Sequence, residues 1–262
     1  MRTVIITGTT RGIGEAMARL LLEQGHRVIG VARGRSDSLH AFGLYDGLTA
    51  DLGRPEVLEA LMADVFAKVQ PQRRADGIYL VNNAAMLQPL RNAERLDAAA
   101  VASHLSVNLT APIMLSGLFA QHVEAWQGDK RILNLSSGSA DNPLPGMGCY
   151  CAAKAGLDTF TKVMGLEQLK KPAPIRVASV WPGMIETEMQ AEVRRQPRES
   201  FESAGLFIGA QESGMLATPE HTASRLVDLL FSEAFPQGGI VEDLASFPPP
   251  AGPRAVRRWR DG

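Results

Sequence analysis

Thr3-Val4-Ile5-Ile6-Thr7-Gly8-Thr9-Thr10-Arg11-Gly12-Ile13-Gly14 is the stretch that decides the fold. Its first five residues are all β-branched, which predicts a strand buried on both faces. The glycines break that strand, and Ile13, Met17, Leu20, Leu21 and Leu22 then recur at helical spacing until Gly25. Strand, glycine turn and helix in that order bring backbone N–H groups and a helix N-terminus to one point. Glycine lets the backbone approach a pyrophosphate there, and the helix terminus favours its charge. The spacing is Gly-x-x-x-Gly-x-Gly rather than Gly-x-Gly-x-x-Gly, and glycines alone would equally make a plain tight turn. The flanking strand and helix favour the dinucleotide reading.

Outward from this stretch, strands and helices alternate. Val28-Ile29-Gly30-Val31 reads as a second strand, followed by polar residues from Arg33 to Ser38. A weak third strand is expected near Gly47-Leu48-Thr49-Ala50, and Pro55 opens a helix to about Val69. Further strands are expected over 78–81, closed by Asn82-Asn83, over 131–135 and over 175–180. Helices are expected over 98–121 and 150–169. This alternation predicts an α/β chain: a single-domain Rossmann-type, doubly wound parallel sheet with helices on both faces. The catalytic domain is expected over 1–245. Within it, 183–218 is longer than a structural connection needs and reads as a substrate loop or lid. Residues 246–262 read as a Pro-rich, basic extension.

Composition narrows the function classes. The chain has 262 residues, 45% hydrophobic and 21% charged, enough for one well-buried domain. Lys plus Arg number 27 against 28 Asp plus Glu, so no global field is available to hold a nucleic acid. Mean hydropathy is -0.05, and no uninterrupted apolar run of bilayer length is visible. With a strand starting at Thr3 there is no room for a signal peptide, so a soluble cytoplasmic protein is expected. Cys149 and Cys151 stand in Cys-Tyr-Cys with no histidine nearby, and read as small buried hydrophobes rather than a metal site. His104, His122 and His221 lack paired ligands and read as solvated or capping residues. Met114, Leu115 and Leu118 read as core or subunit contact. Glu186, Glu188 and Glu192 read as a solvated helix face, with anchoring of a polar substrate as the alternative.

Two groups of residues point to chemistry. At the end of the second strand, where an acidic residue would hold ribose hydroxyls, the chain has Ala32 and Arg33. Arg33 and Arg11 together favour NADP(H), because two guanidinium groups can meet around a 2′-phosphate. Tyr150 and Lys154 lie four apart on one helical face. A phenol near pKa ~10 exchanges protons poorly at neutral pH, and a lysine ammonium with an oxidised nicotinamide nearby is expected to lower it. Ser136-Ser137-Gly138 stands at the C-terminal end of a strand, where a hydroxyl can hold a carbonyl oxygen beside the tyrosine.

These motifs in this order resemble the short-chain dehydrogenase/reductase family over about residues 2 to 245. The carriers are Thr7-Gly8-x-x-x-Gly12-Ile13-Gly14, Asp51-Leu52, Asn82-Asn83-Ala84, Asn108, Ser137, Tyr150-x-x-x-Lys154 and Pro182-Gly183-x-x-x-Thr187. The resemblance implies that Tyr150 is the general acid/base and that Lys154 holds the nicotinamide ribose and tunes Tyr150. Ser137 would orient the substrate carbonyl, and Asn108 would distort its helix and support a proton-relay water. Asp51 would contact adenine, Asn83 the adenosine ribose, and Ile185 and Thr187 the nicotinamide carboxamide. Gly8, Thr10, Arg11, Gly12, Ile13, Gly14, Arg33, Leu52, Ala84, Pro182 and Gly183 complete the implied cofactor set, with no metal. The usual Asn-Asn-Ala-Gly reads Asn82-Asn83-Ala84-Ala85 here, an added methyl expected to tighten the turn.

Met1-Arg2-x-Val4-Ile5-Ile6-Thr7-Gly8-Thr9, Ile132-x-Asn134-x-Ser136-Ser137-Gly138, Tyr150-Cys151-x-x-Lys154-Ala155-Gly156 and the late Phe235-Pro236 resemble, within the family, the sepiapterin reductase-like group and bacterial benzil reductases. The resemblance implies NADPH-dependent reduction of a ketone, and a homodimer or homotetramer. Leu144, Met147, Trp181, Met184, Met189, Phe201, Leu206, Phe207, Met215 and Leu216 are expected to wall the substrate site, with Arg194, Arg195 and Arg198 the basic residues nearby. Such a wall favours a bulky aromatic ketone over a small hydroxy acid. The resemblance implies an aromatic 1,2-diketone of the benzil type, reduced to the hydroxyketone, with a pterin side-chain ketone as the alternative. A non-catalytic NADP-binding sensor is the reading from another class; retention of Ser137, Tyr150 and Lys154 counts against it.

Overall fold

The β-branched run at the N-terminus forms β1 (Thr3–Thr7), buried along its whole length. In this computed structural model, which describes residues 1–69, 76–197 and 201–247, it lies at the centre of a seven-stranded sheet. The other strands are β2 (Arg27–Ala32), β3 (Tyr45–Thr49), β4 (Gly77–Asn82), β5 (Asp129–Leu135), β6 (Arg176–Val180) and β7 (Gly239–Val241). Their order is β3-β2-β1-β4-β5-β6-β7, and every pairing is parallel. The order reverses between β1 and β4, which leaves a crevice beyond their C-terminal ends.

Alternate residues of the strands feed two cores. Val4, Ile6, Val81, Leu133 and Val180 pack against α1 (Gly12–Glu23) and α9 (Pro219–Phe231). Ile5, Ile29, Leu80, Ile132 and Val177 face α3 (Leu58–Lys68), α5 (Ala111–His122) and α6 (Gly148–Gln168). On α1 the buried stripe is Met17, Ala18, Leu21 and Leu22, while Ile13 and Leu20 are half-buried. α2 (Asp37–His40) is a single turn. A polar rung fixes α5 and α6 to the sheet: Asn82 Nδ2 donates to Asn134 Oδ1 (2.8 Å) and Ser116 Oγ (3.1 Å), and Asn134 Nδ2 to Thr161 Oγ1 (2.9 Å).

Several elements differ from the sequence expectation. β3 begins at Tyr45, whose hydroxyl lies 3.0 Å from Thr9 Oγ1, a tertiary contact invisible to local pattern. The helix expected over 98–121 is α4 (Ala98–Leu105), a π-helical segment (Ser106–Thr110) and α5. Contrary to the expectation of no bilayer-length segment, Ala98–His122 is long and apolar enough to cross a membrane by length and composition. Interspersed serines, histidine and asparagine interrupt the apolar run without adding charge. In the fold Ala111, Leu115 and Phe119 lie against the sheet, as in a core helix. β7 has three residues and too little pattern to be read locally.

The excursion 183–218 contains α7 (Glu188–Arg194) and α8 (Ala204–Glu212). It is pinched at its base by a parallel bridge between Ile185 and Ala217, with Glu186 N donating to Ala217 O and Ala217 N to Met184 O. Beyond β7 the core continues past residue 245: Phe247 is buried against it, and Arg225 Nη2 donates to the carbonyls of Leu244, Ala245 and Phe247. Arg198 and the rest of the expected extension lie outside the described residues.

Gly165 of α6 touches the turn before β7, where an added Cβ would fall on Gly238 Cα. Both atoms belong to backbone, so Gly165→Ala is expected to cost about 1–3 kcal/mol. Gly209, mid-α8 with open space around it, is expected to gain about 0.4–1 kcal/mol as Gly209→Ala. Denaturant titration of both variants checks the opposite signs.

Candidate active site

The crevice at the strand-order reversal opens into a cavity of about 1150 Å³ that runs from the glycine turn to the 183–218 excursion. At one end, Asn83 ties β4 to β1. Its Nδ2 donates to Thr7 O (2.8 Å) and Gly8 O (3.2 Å), and Thr7 Oγ1 accepts from the N–H groups of Asn83 and Ala84, both at 3.0 Å. A Cβ on Gly14 would fall on Gly8 O and Asn83 Nδ2, so this crossing admits no side chain. Gly8 and Gly12 carry φ of 77° and 59°, which glycine adopts freely. The backbone is therefore bare beside the N-terminus of α1, as a pyrophosphate requires. Arg11 and Arg33 stand exposed on the cavity rim, neither in an ion pair among the described residues. Asp51 Oδ1 accepts from Gly53 N (2.9 Å) at the same end. The crevice fits a dinucleotide, with two free cations at its outer edge.

At the other end, α6 carries Tyr150 and Lys154 inward. Lys154 is 3% exposed and its Nζ donates to Leu135 O (2.7 Å), 5.5 Å from the centre of the Tyr150 ring. Ser137, just past β5, hydrogen-bonds Tyr150 and accepts from Ser139 N (3.2 Å) and Ser139 Oγ (2.9 Å). On balance the protein's own groups do not lower the phenol. Burial pushes Tyr150 up to about 12, with the Ser137 bond acting against it. Burial also pulls Lys154 down to about 8, opposed by the Asp158 carboxylate. Desolvation outweighs the local partners for both groups.

Asn108 sits buried in the π-helical segment, and its side chain is fully engaged. Oδ1 accepts from Met86 N (3.1 Å), while Nδ2 donates to Met86 O (2.8 Å) and His104 Nε2 (3.0 Å). His104 Nδ1 in turn donates to Gln88 O (2.7 Å). His104 is fully buried, not solvated as expected, and burial lowers its pKa. Asn108 and Gly14 lie behind the cavity wall rather than on it. Gln88 escaped the sequence reading. Its Nε2 donates to Glu192 Oε1 (3.0 Å), joining the strand-end segment to α7. The available signal was its place just past the end of β4, beside Asn82-Asn83.

Gly8, Thr10, Arg11, Gly12, Ile13, Arg33, Asp51, Leu52, Asn83, Ala84, Ser137, Tyr150, Lys154, Pro182, Gly183, Ile185 and Thr187 all line this one cavity. Ala85 lines it too, without the left-handed backbone that would favour glycine. Of the expected apolar wall, Leu144, Met147, Trp181, Met184, Met189, Leu206 and Phe207 are present. Phe201 is instead core, packed behind Gly146 and Phe207. Met215 and Leu216 lie outside the cavity, Met215 exposed on the surface. Glu186 and Glu188 pair with Arg194 (2.5 Å) and Arg195 (2.6 Å). Thr187 Oγ1 caps α7 by accepting from Gln190 N (3.4 Å). Cys149 and Cys151 are buried and unbridged.

Comparison with known proteins gives this geometry a lineage. Residues 2–198 match the family described as short chain dehydrogenase. The chain is 34% identical to a benzil reductase ((S)-benzoin forming) of Bacillus cereus, over 92% of this chain and 98% of that one. It is 35% identical to the benzil reductase ((S)-benzoin forming) of Bacillus subtilis strain 168, over 94% and 100%. Among solved structures, the KRED1-Pglu enzyme superposes with a TM-score of 0.79 at 26% identity, over 92% of this chain and 100% of that one. Likeness on that scale shows kinship: the chain belongs to the short chain dehydrogenase family, oxidoreductases that interconvert alcohol and carbonyl groups.

Proposed function

We propose that this protein is an NADPH-dependent reductase of an aromatic 1,2-diketone, giving the hydroxyketone, with Tyr150 as proton donor. One observation carries the reading. Ser137, Tyr150 and Lys154 share the apolar end of a cavity whose other end has the glycine turn and two unpaired arginines. The similarity to bacterial benzil reductases supports the substrate class. Nicotinamide, when bound, supplies the hydride. The chain's own residues supply the rest. Ser137 and Tyr150 hold the carbonyl oxygen through their hydroxyls. Burial keeps the Tyr150 proton in place through the neutral range, so the phenol is loaded as an acid. As negative charge develops on the substrate oxygen, the proton moves to it from Tyr150 Oη, and the Lys154 ammonium stabilises the phenolate left behind. Leu144, Met147, Met184 and Phe207 exclude water from that step. Outward-facing Met114, Val163, Leu166 and Leu169 support self-association as a homodimer or homotetramer. Two buried, unbridged thiols suit a cytoplasmic location.

Arg33→Ala is expected to weaken NADPH binding roughly ten- to a hundredfold and to leave NADH nearly unchanged, since one charge-assisted contact to the 2′-phosphate is lost. Cofactor fluorescence titration measures both constants; equal losses would remove Arg33 from the phosphate.

Lys154 has a folded pKa of about 8 against the ordinary lysine value of 10.5, so between those values the unfolded chain binds more protons. Its contribution to stability therefore improves as pH rises from about 8 towards 10.5. Relative to Lys154→Met, the Tm of the ligand-free wild type is expected to climb over that interval, and a flat difference would contradict the buried ammonium.

Tyr150→Phe is expected to lose most turnover while retaining NADPH binding, because only the exchangeable proton is gone. With wild type, kcat/KM compared across benzil, sepiapterin, an acetoacetyl thioester and an aliphatic ketone is expected to rank benzil first. Preference for the thioester or the aliphatic ketone would sink the substrate assignment.

A further inference from the structure

Trp181 follows β6 directly and is held at both ends. Its backbone N–H donates to Val241 O (2.9 Å), which continues the pairing with β7. Its indole Nε1 donates to Asp158 Oδ2 (3.0 Å). Asp158 lies on α6, one turn beyond Lys154 and two beyond Tyr150, and is 5% exposed. Its other oxygen, Oδ1, accepts a short bond of 2.5 Å from Ser179 Oγ. A buried carboxylate is costly unless its lone pairs are met, and here the indole N–H is one of the two side chains that meet them. The ring is thereby locked in one orientation.

That orientation places it at the reacting end of the cavity. The six-membered ring lies against Gly138, the residue after Ser137, where an added Cβ would stand 3.8 Å from Trp181 Cε3. Trp181 is only half-buried, and it lines the cavity. A rigid aromatic surface beside a carbonyl-holding serine offers offset or edge contacts that an aliphatic group cannot match. It does so without ordering cost, because the ring is already fixed.

We infer that the Trp181 indole, pinned by the Asp158 carboxylate, is the platform that selects an aromatic substituent next to the reacting carbonyl. The inference rests on the aromatic-diketone reading above and assigns its selectivity to one residue. Trp181 is the specificity-determining contact, and Asp158 is a positioning residue that acts through it.

The test measures kcat and KM for benzil and for diacetyl, an aliphatic 1,2-diketone, in wild type and three variants. Trp181→Leu keeps an apolar wall without a ring. It is expected to lower kcat/KM for benzil roughly tenfold, mainly through KM, and to change diacetyl by less than about threefold. Trp181→Phe keeps a ring but loses the N–H, and Asp158→Leu, of similar volume, removes the acceptor that holds it; both leave the hydroxyl of Ser179 its bond to Asn134 O. Both are expected to raise KM for benzil by a smaller factor at nearly unchanged kcat. Because Trp181→Phe leaves the Asp158 charge beside Lys154 intact, a matching shift in both variants isolates the pin from any effect on Lys154. Equal losses on both diketones in Trp181→Leu, or an unchanged ratio, would overturn the inference. Retained NADPH binding and Tm confirm that each variant is folded; if Trp181→Leu fails this check, the ratio in Trp181→Phe decides alone. A wild type that prefers diacetyl would defeat the proposed substrate, whereas the platform is judged by how the ratio changes between wild type and variants.

Discussion

Where β1 ends, the backbone of the glycine turn, the first turn of α1 and the side-chain amide of Asn83 share a space that leaves no room for a Cβ on Gly14. The Asn83 amide lies against the carbonyls of Thr7 and Gly8, and Gly14 closes over both. This crossing sets the direction of α1, so that its N-terminus faces the crevice. It also fixes the end of β4 against β1, and the rest of the site hangs from that end. The segment after β4 is clamped by Asn108 through both polar groups of Met86, and His104 secures Gln88. Gln88 then reaches Glu192 on α7. A disturbance at the glycine crossing would therefore travel along hydrogen bonds to the excursion that covers the cavity.

The second organising effect is electrostatic. Tyr150, Lys154 and Asp158 recur every fourth residue along α6, a phenol, an ammonium and a carboxylate in one buried stripe. In a medium of low effective dielectric each of them is costly to charge unless a partner answers it. Burial drives the phenol up and the ammonium down, both towards the neutral form. Only the carboxylate works to keep the lysine charged. Tyr150 thus keeps its proton through the neutral range. Ser137 tempers this without reversing it, because a single hydroxyl cannot replace the hydration that the phenol has lost.

How much could be read beforehand follows from the range of the forces involved. The β1–turn–α1 unit and the alternation of strands and helices depend on neighbours in sequence, and they were legible. So was the four-residue spacing of Tyr150 and Lys154, since helix geometry alone brings them to one face. Burial of His104 was not, because it depends on the Gln88 carbonyl folding across it from another element. Phe201 read as cavity wall and proved to be core for the same reason: only the tertiary approach of Gly146 decides which side of the ring is covered. β3 drew its start from a Tyr45–Thr9 contact, and β7 had three residues with which to announce itself. Helix 98–121 looked continuous because the π-helical insertion changes hydrogen bonding without changing apolar composition.

The bridge between Ile185 and Ala217 makes the intervening chain an excursion whose two ends are stapled side by side. Loop-closure entropy grows slowly with length, so such a segment can lengthen or shorten at little thermodynamic expense to the sheet beneath it. Its ends are two adjacent backbone positions, and its middle is seated on the fold by the Gln88–Glu192 bond and by Phe201 behind Gly146. Relatives could in this way diverge in what they admit while the proton-handling helix and the glycine crossing stay as they are.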